Sequence, residues 1–456
     1  MNHHRFSVNS YAKSSLKSIA NQLSFTKSSF IGTWILPMIL LTVFTSCSKN
    51  GSDNNNNNIN TDPLIDIVSP LTGPKNTAVM IKGAHFGNDV SKTKVYINGV
   101  AATVSSVNDA TIWCKVPVKA GSGIVKVVTA NGKTVNGPSF TYKYTATITT
   151  LAGGTNGYAD GTGTAAQFGQ SNGLCNDSAG NVYMVDYFNS KVRMVTPAGV
   201  VTTIAGGAFG YADGIDTSAL FSGPLGICYA GNGNFYIADT YNYLIRKMTI
   251  AGVVTTVAGT PNVIGYQDGN DTVAKFNNPA AICIDASGNL YVADAMNNKI
   301  RKIDTNGNVT TLAGSSEGYA DGPGLSAKFS QPSGICVDPQ GNVYVAEFIN
   351  DKIRKISPAG VVSTLAGSTA GSSDGVGTAA QFTGPAGLCI DKDGNIFVAE
   401  AGISRIRMVT PSGVVTTIAG DTSPEFFYPS GVSIDSQGIL YVMDTYNYRI
   451  RKIILD

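Results

Sequence analysis

One spacing governs what this chain can fold into. An Ala-Gly pair that closes a Thr-rich run recurs with its glycine at Gly153, Gly206, Gly259, Gly314, Gly367 and Gly420, in steps of 53, 53, 55, 53 and 53 residues. A second marker keeps the same interval: Cys175, Cys228, Cys283, Cys336 and Cys389, with Ser433 in the sixth place. A fixed period of this size is the signature of a repeat architecture. Within one unit, 334–338 reads as a first strand, a Gly341-Asn342 turn leads to an apolar second strand at 343–346, a third lies around 353–356, and a Thr-rich fourth covers 361–365. Four antiparallel strands, repeated six times over residues 146–456, predict a six-bladed β-propeller and an all-β chain.

The ends of the repeat sharpen this. The sixth unit stops at Ile450-Arg451-Lys452-Ile453-Ile454 with no fourth strand, whereas residues 147–153 match the missing one. The pattern predicts that 146–153 pairs with the last blade, sealing a ring that would otherwise expose open sheet edges. An open array would need polar capping repeats instead.

Ahead of the repeats, residues 63–145 read as a separate module, a small β-sandwich by pattern, in which short alternating runs are separated by Gly, Asn and Pro turns. With 52 glycines and only 14% charged residues in 456, neither disorder nor a coiled coil accounts for the chain. The formal charge of +2 includes Arg5, Lys13, Lys17 and Lys27; without those four, 28 basic residues face 30 acidic ones, a balance of −2. That surface offers no footprint for nucleic acid.

The module resembles the IPT/TIG immunoglobulin-like family in Ile67-Val68-Ser69-Pro70 with Gly73, in residues 79–87 ending His85-Phe86-Gly87, in Val116-Pro117 and in Phe140-Thr141-Tyr142. The resemblance implies a spacer or protein-contact domain without catalytic residues. The repeats resemble NHL repeats in Pro332-Ser333-Gly334-Ile335-Cys336-Val337-Asp338, in residues 341–347, and in Asn350 through Ile353-Arg354, lengthened by a loop such as Gly318-Tyr319-Ala320-Asp321-Gly322. At the N-terminus, a basic Ser-rich stretch, an apolar run over 30–44 and Thr45-Ser46-Cys47 resemble the signal and lipobox of bacterial lipoproteins. The apolar run is shorter than the roughly 20 residues of a membrane span. On this reading residues 1–46 are a signal peptide, Cys47 is lipidated, and the Asn-rich 47–62 is a tether. The chain would be exported and anchored in the cell envelope, at the periplasmic or surface face of an outer membrane.

Several residue sets invite chemistry. An acid ends each second strand (Asp186, Asp239, Asp294, Glu347, Glu400, Asp444), and an arginine follows seven residues later (Arg193, Arg246, Arg301, Arg354, Arg407, Arg451). Six identical pairs point to bracing of the turn rather than catalysis, because a catalytic centre is built from residues that differ between blades. Asp160, Asp213, Asp268, Asp321 and Asp374 each precede Gly, as metal ligands or, more simply, as turn residues bonding nearby amides. Asp391-Lys392-Asp393-Gly394-Asn395 superficially begins like a calcium loop, yet equivalent turns do not keep the ligand positions, so no cofactor is expected. Five cysteines in one register of successive blades read as buried free thiols, because stacked sheets lie about 10 Å apart, too far for a bridge.

Enzyme classes narrow in the same way. The histidines are His3, His4 and His85, so residues 146–456 can support neither a histidine-held zinc nor a triad. A metal-dependent lactonase or lyase using carboxylates stays as the alternative to a binding function. The one irregular connection, Asp421-Thr422-Ser423-Pro424-Glu425-Phe426-Phe427-Tyr428-Pro429, replaces the Asp-Gly loop with a short aromatic one. Its Glu425, Phe426, Phe427 and Tyr428 are candidate ligand contacts beside a gap in the loop rim; the simpler alternative is that Phe427 or Tyr428 packs where Phe329 and Phe382 do. The reading favoured is a lipid-anchored scaffold whose loop rim recognises a protein or glycan, the membrane being reached through the anchor.

Overall fold

The computed structural model describes residues 61–420 and 425–456. The expected leader, Cys47 and the tether as far as residue 60 lie outside the described residues, as do Asp421 to Pro424.

Each repeat folds into one sheet. In the fourth, Pro332–Val337, Val343–Glu347, Lys352–Ile356 and Val361–Ala366 run antiparallel from the axis outward. The second strand is buried along its whole length because a neighbouring sheet covers each of its faces, and this accounts for its unbroken apolar character. Each fully buried Val or Ile there contributes about 1.5–3 kcal/mol. Around the axis, a Cβ on Gly173, Gly226, Gly334, Gly387 or Gly431 would collide with the backbone of the adjoining inner strand. Glycine is required at these positions by close approach rather than by backbone angle.

The four-strand expectation needs a correction. In five blades the inserted loop adds a two-residue fifth strand, such as Gly322–Pro323, which pairs with Val361 and Val362 on the outermost strand. The exposed outer edge is thereby covered by the loop that enters the same blade. Among the described residues the sixth blade has no such cover. It consists of Pro429–Ile434, Ile439–Asp444, Arg449–Leu455 and, as its fourth strand, Ala146–Gly153, which pairs antiparallel from Leu455↔Ala146 to Arg449↔Gly153.

Residues 63–145 hold eight strands around one core in which Val79, Ile81 and Ile112 meet Val95, Val125, Val127 and Phe140. The nine-residue strand Val100–Asn108 pairs with a neighbour on each side and breaks register between Val104 and Ser106, so that it serves both halves. The module runs directly into the closing strand. Tyr142 donates its hydroxyl to the Asp456 carbonyl (3.0 Å), Lys75 pairs with the Asp456 carboxylate (2.8 Å), and Tyr144 packs against both the module's core and the last blade.

The closing strand yields a direct test. Thr149 is exposed and its neighbours across the sheet are backbone partners, so Thr149→Pro attacks the ladder alone by removing an N–H and its strand geometry. The variant is expected to unfold at a clearly lower temperature and to be cleaved by protease near residue 145, while Thr149→Ala stays within about 0.5 kcal/mol of the parent.

Candidate functional site

The turns between second and third strands and the long loops entering each blade lie together at one end of the ring: Asn189 donates its amide to the Gly157 carbonyl, and Asn242 to the Gly210 carbonyl. At this end, five of the six acid–arginine pairs meet. Arg193 Nη1 lies 3.2 Å from Asp186 Oδ2; the corresponding contacts are 2.7 Å for Arg246–Asp239, 2.8 Å for Arg301–Asp294, 2.5 Å for Arg354–Glu347 and 2.8 Å for Arg407–Glu400. All ten side chains are fully buried. The arginine is aimed by a bulge: pairing between third and fourth strands slips immediately before it, as between Ile353 and Arg354.

The loop aspartates belong to the same assembly. Asp160, Asp213, Asp268, Asp321 and Asp374 do not bond their own turns. Each accepts Nη2 of the blade's arginine at 2.6–2.8 Å, together with the backbone N–H and the hydroxyl of a fourth-strand threonine, as Asp321 does with Arg354 and Thr364. Two loop carbonyls accept the second proton of Nη1 and of Nη2, such as Lys328 O and Ala320 O for Arg354, while Nε donates to the loop aspartate in Arg193 and Arg354 and is unbonded in Arg246, Arg301 and Arg407. A loop Phe lies 5.0–5.4 Å from the guanidinium carbon, as Phe329 does for Arg354. Burial pushes Asp239 and Asp294 up to about 6 and Glu400 up to about 7, and the arginine beside each offsets part of that rise.

The sixth pair is different, which corrects the expectation of six equal braces. Asp444 does not meet Arg451. Its Oδ2 accepts Nε of Arg449 at 2.8 Å, Asn447 donates to both oxygens at 2.9 Å, and Oδ1 takes the Phe427 N–H at 2.7 Å. The cause is the shortened loop. In the fifth blade the equivalent Arg405 donates to the loop carbonyl of Ser372; counting back from the strand that follows, residues 368–376 have no counterpart in the sixth connection, so Arg449 folds inward onto Asp444. Arg451 is left half-buried, with Phe426 at 5.9 Å and, among the described residues, no hydrogen bond or ion pair.

The four residues singled out on that connection separate. Phe426, not Phe427 or Tyr428, fills the recurrent loop-Phe position and is 1% exposed. Phe427 is 57% exposed, and its ring lies 5.1 Å from that of Tyr446. Tyr428 takes a left-handed turn (φ +59°) with its ring 4.9 Å from Tyr446. Glu425 is half-buried and its carbonyl accepts Arg449 Nη2 at 3.4 Å.

Sequence reasoning missed a ring of larger consequence. The residue two places after each acid is Phe188, Tyr241, Met296, Ile349, Gly402 and Tyr446, one per blade at the tip of the turn. Phe188, Met296 and Ile349 are exposed, Tyr241 and Tyr446 half-exposed, and a Cβ on Gly402 would meet the Thr383 carbonyl. The signal available was variation: the tip residue changes between most blades, whereas the acid two places before it and the arginine five places after it repeat.

Other candidates resolve into structure. Asp391 accepts the N–H groups of Asp393 and Asn395 and the side-chain amide of Asn395, so the oxygens of the calcium-like stretch serve its own turn. Among the described residues no three His, Cys, Asp or Glu side chains converge as metal ligands do. The six described cysteines are unbridged, and burial pushes Cys114 and Cys228 up to about 12.

The contrast between blades sets an expected outcome. Arg301→Met strands the buried Asp294 carboxylate, besides unpairing the partly exposed Asp268, and should cost about 3–5 kcal/mol. Arg451→Met removes a cation with no bonded partner and should cost less than about 1 kcal/mol by chemical denaturation. Equal losses would contradict the assignment.

With the geometry in place, relatives can be compared. The IPT/TIG domain family matches residues 63–144, and the NHL repeat family matches 221–248, 276–303, 329–355 and 426–453. The chain is 35% identical over 135 residues to SUPPRESSOR OF QUENCHING 1 of Arabidopsis thaliana, covering 27% of this chain and 13% of that protein. It is 32% identical over 181 residues to human NHL repeat-containing protein 2, covering 36% and 25%. The chain thus spans a quarter or less of these relatives. Among solved structures, an auxiliary nutrient binding protein of Bacteroides ovatus superposes with a TM-score of 0.53 at 20% identity, covering 87% of this chain and 98% of that one. A Bacteroides thetaiotaomicron protein of unknown function gives 0.53 at 21%, covering 88% and 99%. That likeness is one of fold. By its matched repeats, its closed ring of six blades and the module ahead of them, this chain is an NHL-repeat β-propeller protein with an N-terminal IPT/TIG domain.

Proposed function

We propose that this protein is a binding platform of a bacterial cell envelope, held by a lipid on Cys47 and recognising a glycan or protein at the loop end of its propeller. The observation that carries the reading is the turn-tip ring. A scaffold that repeats its clamps nearly unchanged lets the turn tips vary, and puts the apolar side chains Phe188, Met296 and Ile349 there in exposed positions. Exposed apolar side chains gathered at one end are costly in water and are characteristic of a contact surface. Flat rings such as Phe188 and Phe427 suit the apolar faces of sugars as well as the side chains of a protein partner. The shared fold with an auxiliary nutrient binding protein supports the same direction.

The test is binding of the purified protein to envelope extract and to immobilised glycans. A saturable partner is expected, with at least tenfold weaker binding after Phe188→Ala combined with Ile349→Ala at an unchanged unfolding temperature. No saturable partner, or a chelator-sensitive lactone or ester hydrolysis, would overturn the reading. The anchor is checked separately: Cys47→Ser should move the protein from the membrane fraction to the soluble one.

A further inference from the structure

Five blades of this ring show what a carboxylate looks like when it is fully held, and the sixth contains the same holder with no carboxylate bonded to it among the described residues. In each of the five, the loop aspartate receives Nη2 of the arginine at 2.6–2.8 Å, the threonine hydroxyl at 2.9–3.2 Å and the threonine N–H at 3.0–3.1 Å, and Asp160 and Asp321 receive the arginine Nε as well. The arginine and threonine are cross-strand partners just beyond a bulge, for example Arg354↔Thr364. Arg451↔Thr150 is the same pair beyond the same bulge, placed between Ile450 and Arg451.

The surroundings differ in one respect. The sixth connection has no Asp-Gly segment, the described residues of that blade hold no two-residue outer strand, and the Tyr that lies over the arginine in three blades (Tyr319, 5.0 Å from Arg354) has no counterpart. Thr150 is exposed where its five equivalents are half-buried. Arg451 Nε is buried and unbonded, as in Arg246, Arg301 and Arg407, but only Arg451 also has no bond at Nη1 or Nη2 among the described residues; its guanidinium keeps an aromatic floor in Phe426, and Asp444 is already engaged by Arg449. Burial first, and then the charge of Arg449, pull the Arg451 pKa below the ordinary arginine range. Glu425 and Asp444 act in the opposite sense, but neither bonds Arg451.

We propose that Arg451 and Thr150 form a receptor for the carboxylate of a ligand, which takes the place that the loop aspartate occupies in the other five blades. The planar two-oxygen group would lie against the guanidinium fork while one oxygen accepts the Thr150 N–H, the geometry that makes arginine suited to carboxylates. Two sources share this chemistry: a sugar acid and an acidic side chain of a peptide. The inference does not depend on the turn-tip ring, since Phe188 and Ile349 contribute none of these donors.

The test uses the purified full chain with two probes, glucuronate and N-acetyl-aspartate amide, followed by calorimetry, with glucose and N-acetyl-asparagine amide as uncharged controls. At least one acid should bind saturably, the controls should not, and the acid that binds identifies the source. Arg451→Met should weaken that binding at least tenfold and Thr150→Ala several-fold, the latter acting through an exposed residue that leaves the fold intact. Binding of neither acid, or binding indifferent to both substitutions, overturns the proposal. So does an inert parent that gains binding in Asp421→Asn or Glu425→Gln, because the chain's own carboxylate would then occupy the place.

Discussion

A guanidinium buried under five of the six loops is the interaction on which the loop end of this propeller depends. The inner carboxylate belongs to the second strand, the guanidinium to the third, the outer carboxylate to the entering loop and the threonine to the fourth strand. One side chain therefore ties together every part of the blade except the axial strand. Its charge is balanced twice, and its N–H groups also meet loop carbonyls. Taking such groups out of water is affordable only because so few of their donors stay unmade. The loops that form the rim are in this way held from below, leaving their tips free to vary.

The sixth blade follows from the same logic. Loss of nine loop residues removes the outer carboxylate, the covering Tyr and the short outer strand together, since all three lie on one segment. The inner carboxylate then goes to Arg449, which has the reach that Lys299 or Lys352 uses elsewhere to meet loop carbonyls. The irregularity is thus one event with several correlated results.

What could be read in the sequence was whatever recurs. The blade count, the ring closure and the acid–arginine spacing all rest on period, and period survives without coordinates. The fifth strand was not legible because two residues such as Gly322-Pro323 carry no alternation, and their pairing is dictated by a loop anchored through Asp321. The exchange of Arg451 for Arg449 was hidden because both lie on one strand within reach of Asp444, and only loop length decides between them. Phe426 was misassigned for a similar reason: three aromatics stand in a row, and counting back from Pro429 as from Pro385 selects the first. The turn-tip ring was visible as variation but was overlooked in favour of the residues that repeat.

Closing the circle with strand Ala146–Gly153 has a kinetic consequence. That segment leads its partner Arg449–Leu455 by about 300 residues, a separation that makes the contact among the slowest kinds to form. At a synthesis rate of about 5–20 residues per second, the earlier strand waits roughly 15–60 s for its mate. Until then Ala146–Gly153, which holds three Thr and one Ile, is an unpaired edge able to join another chain. Crowding of nascent copies should accordingly favour exchanged, interlinked rings.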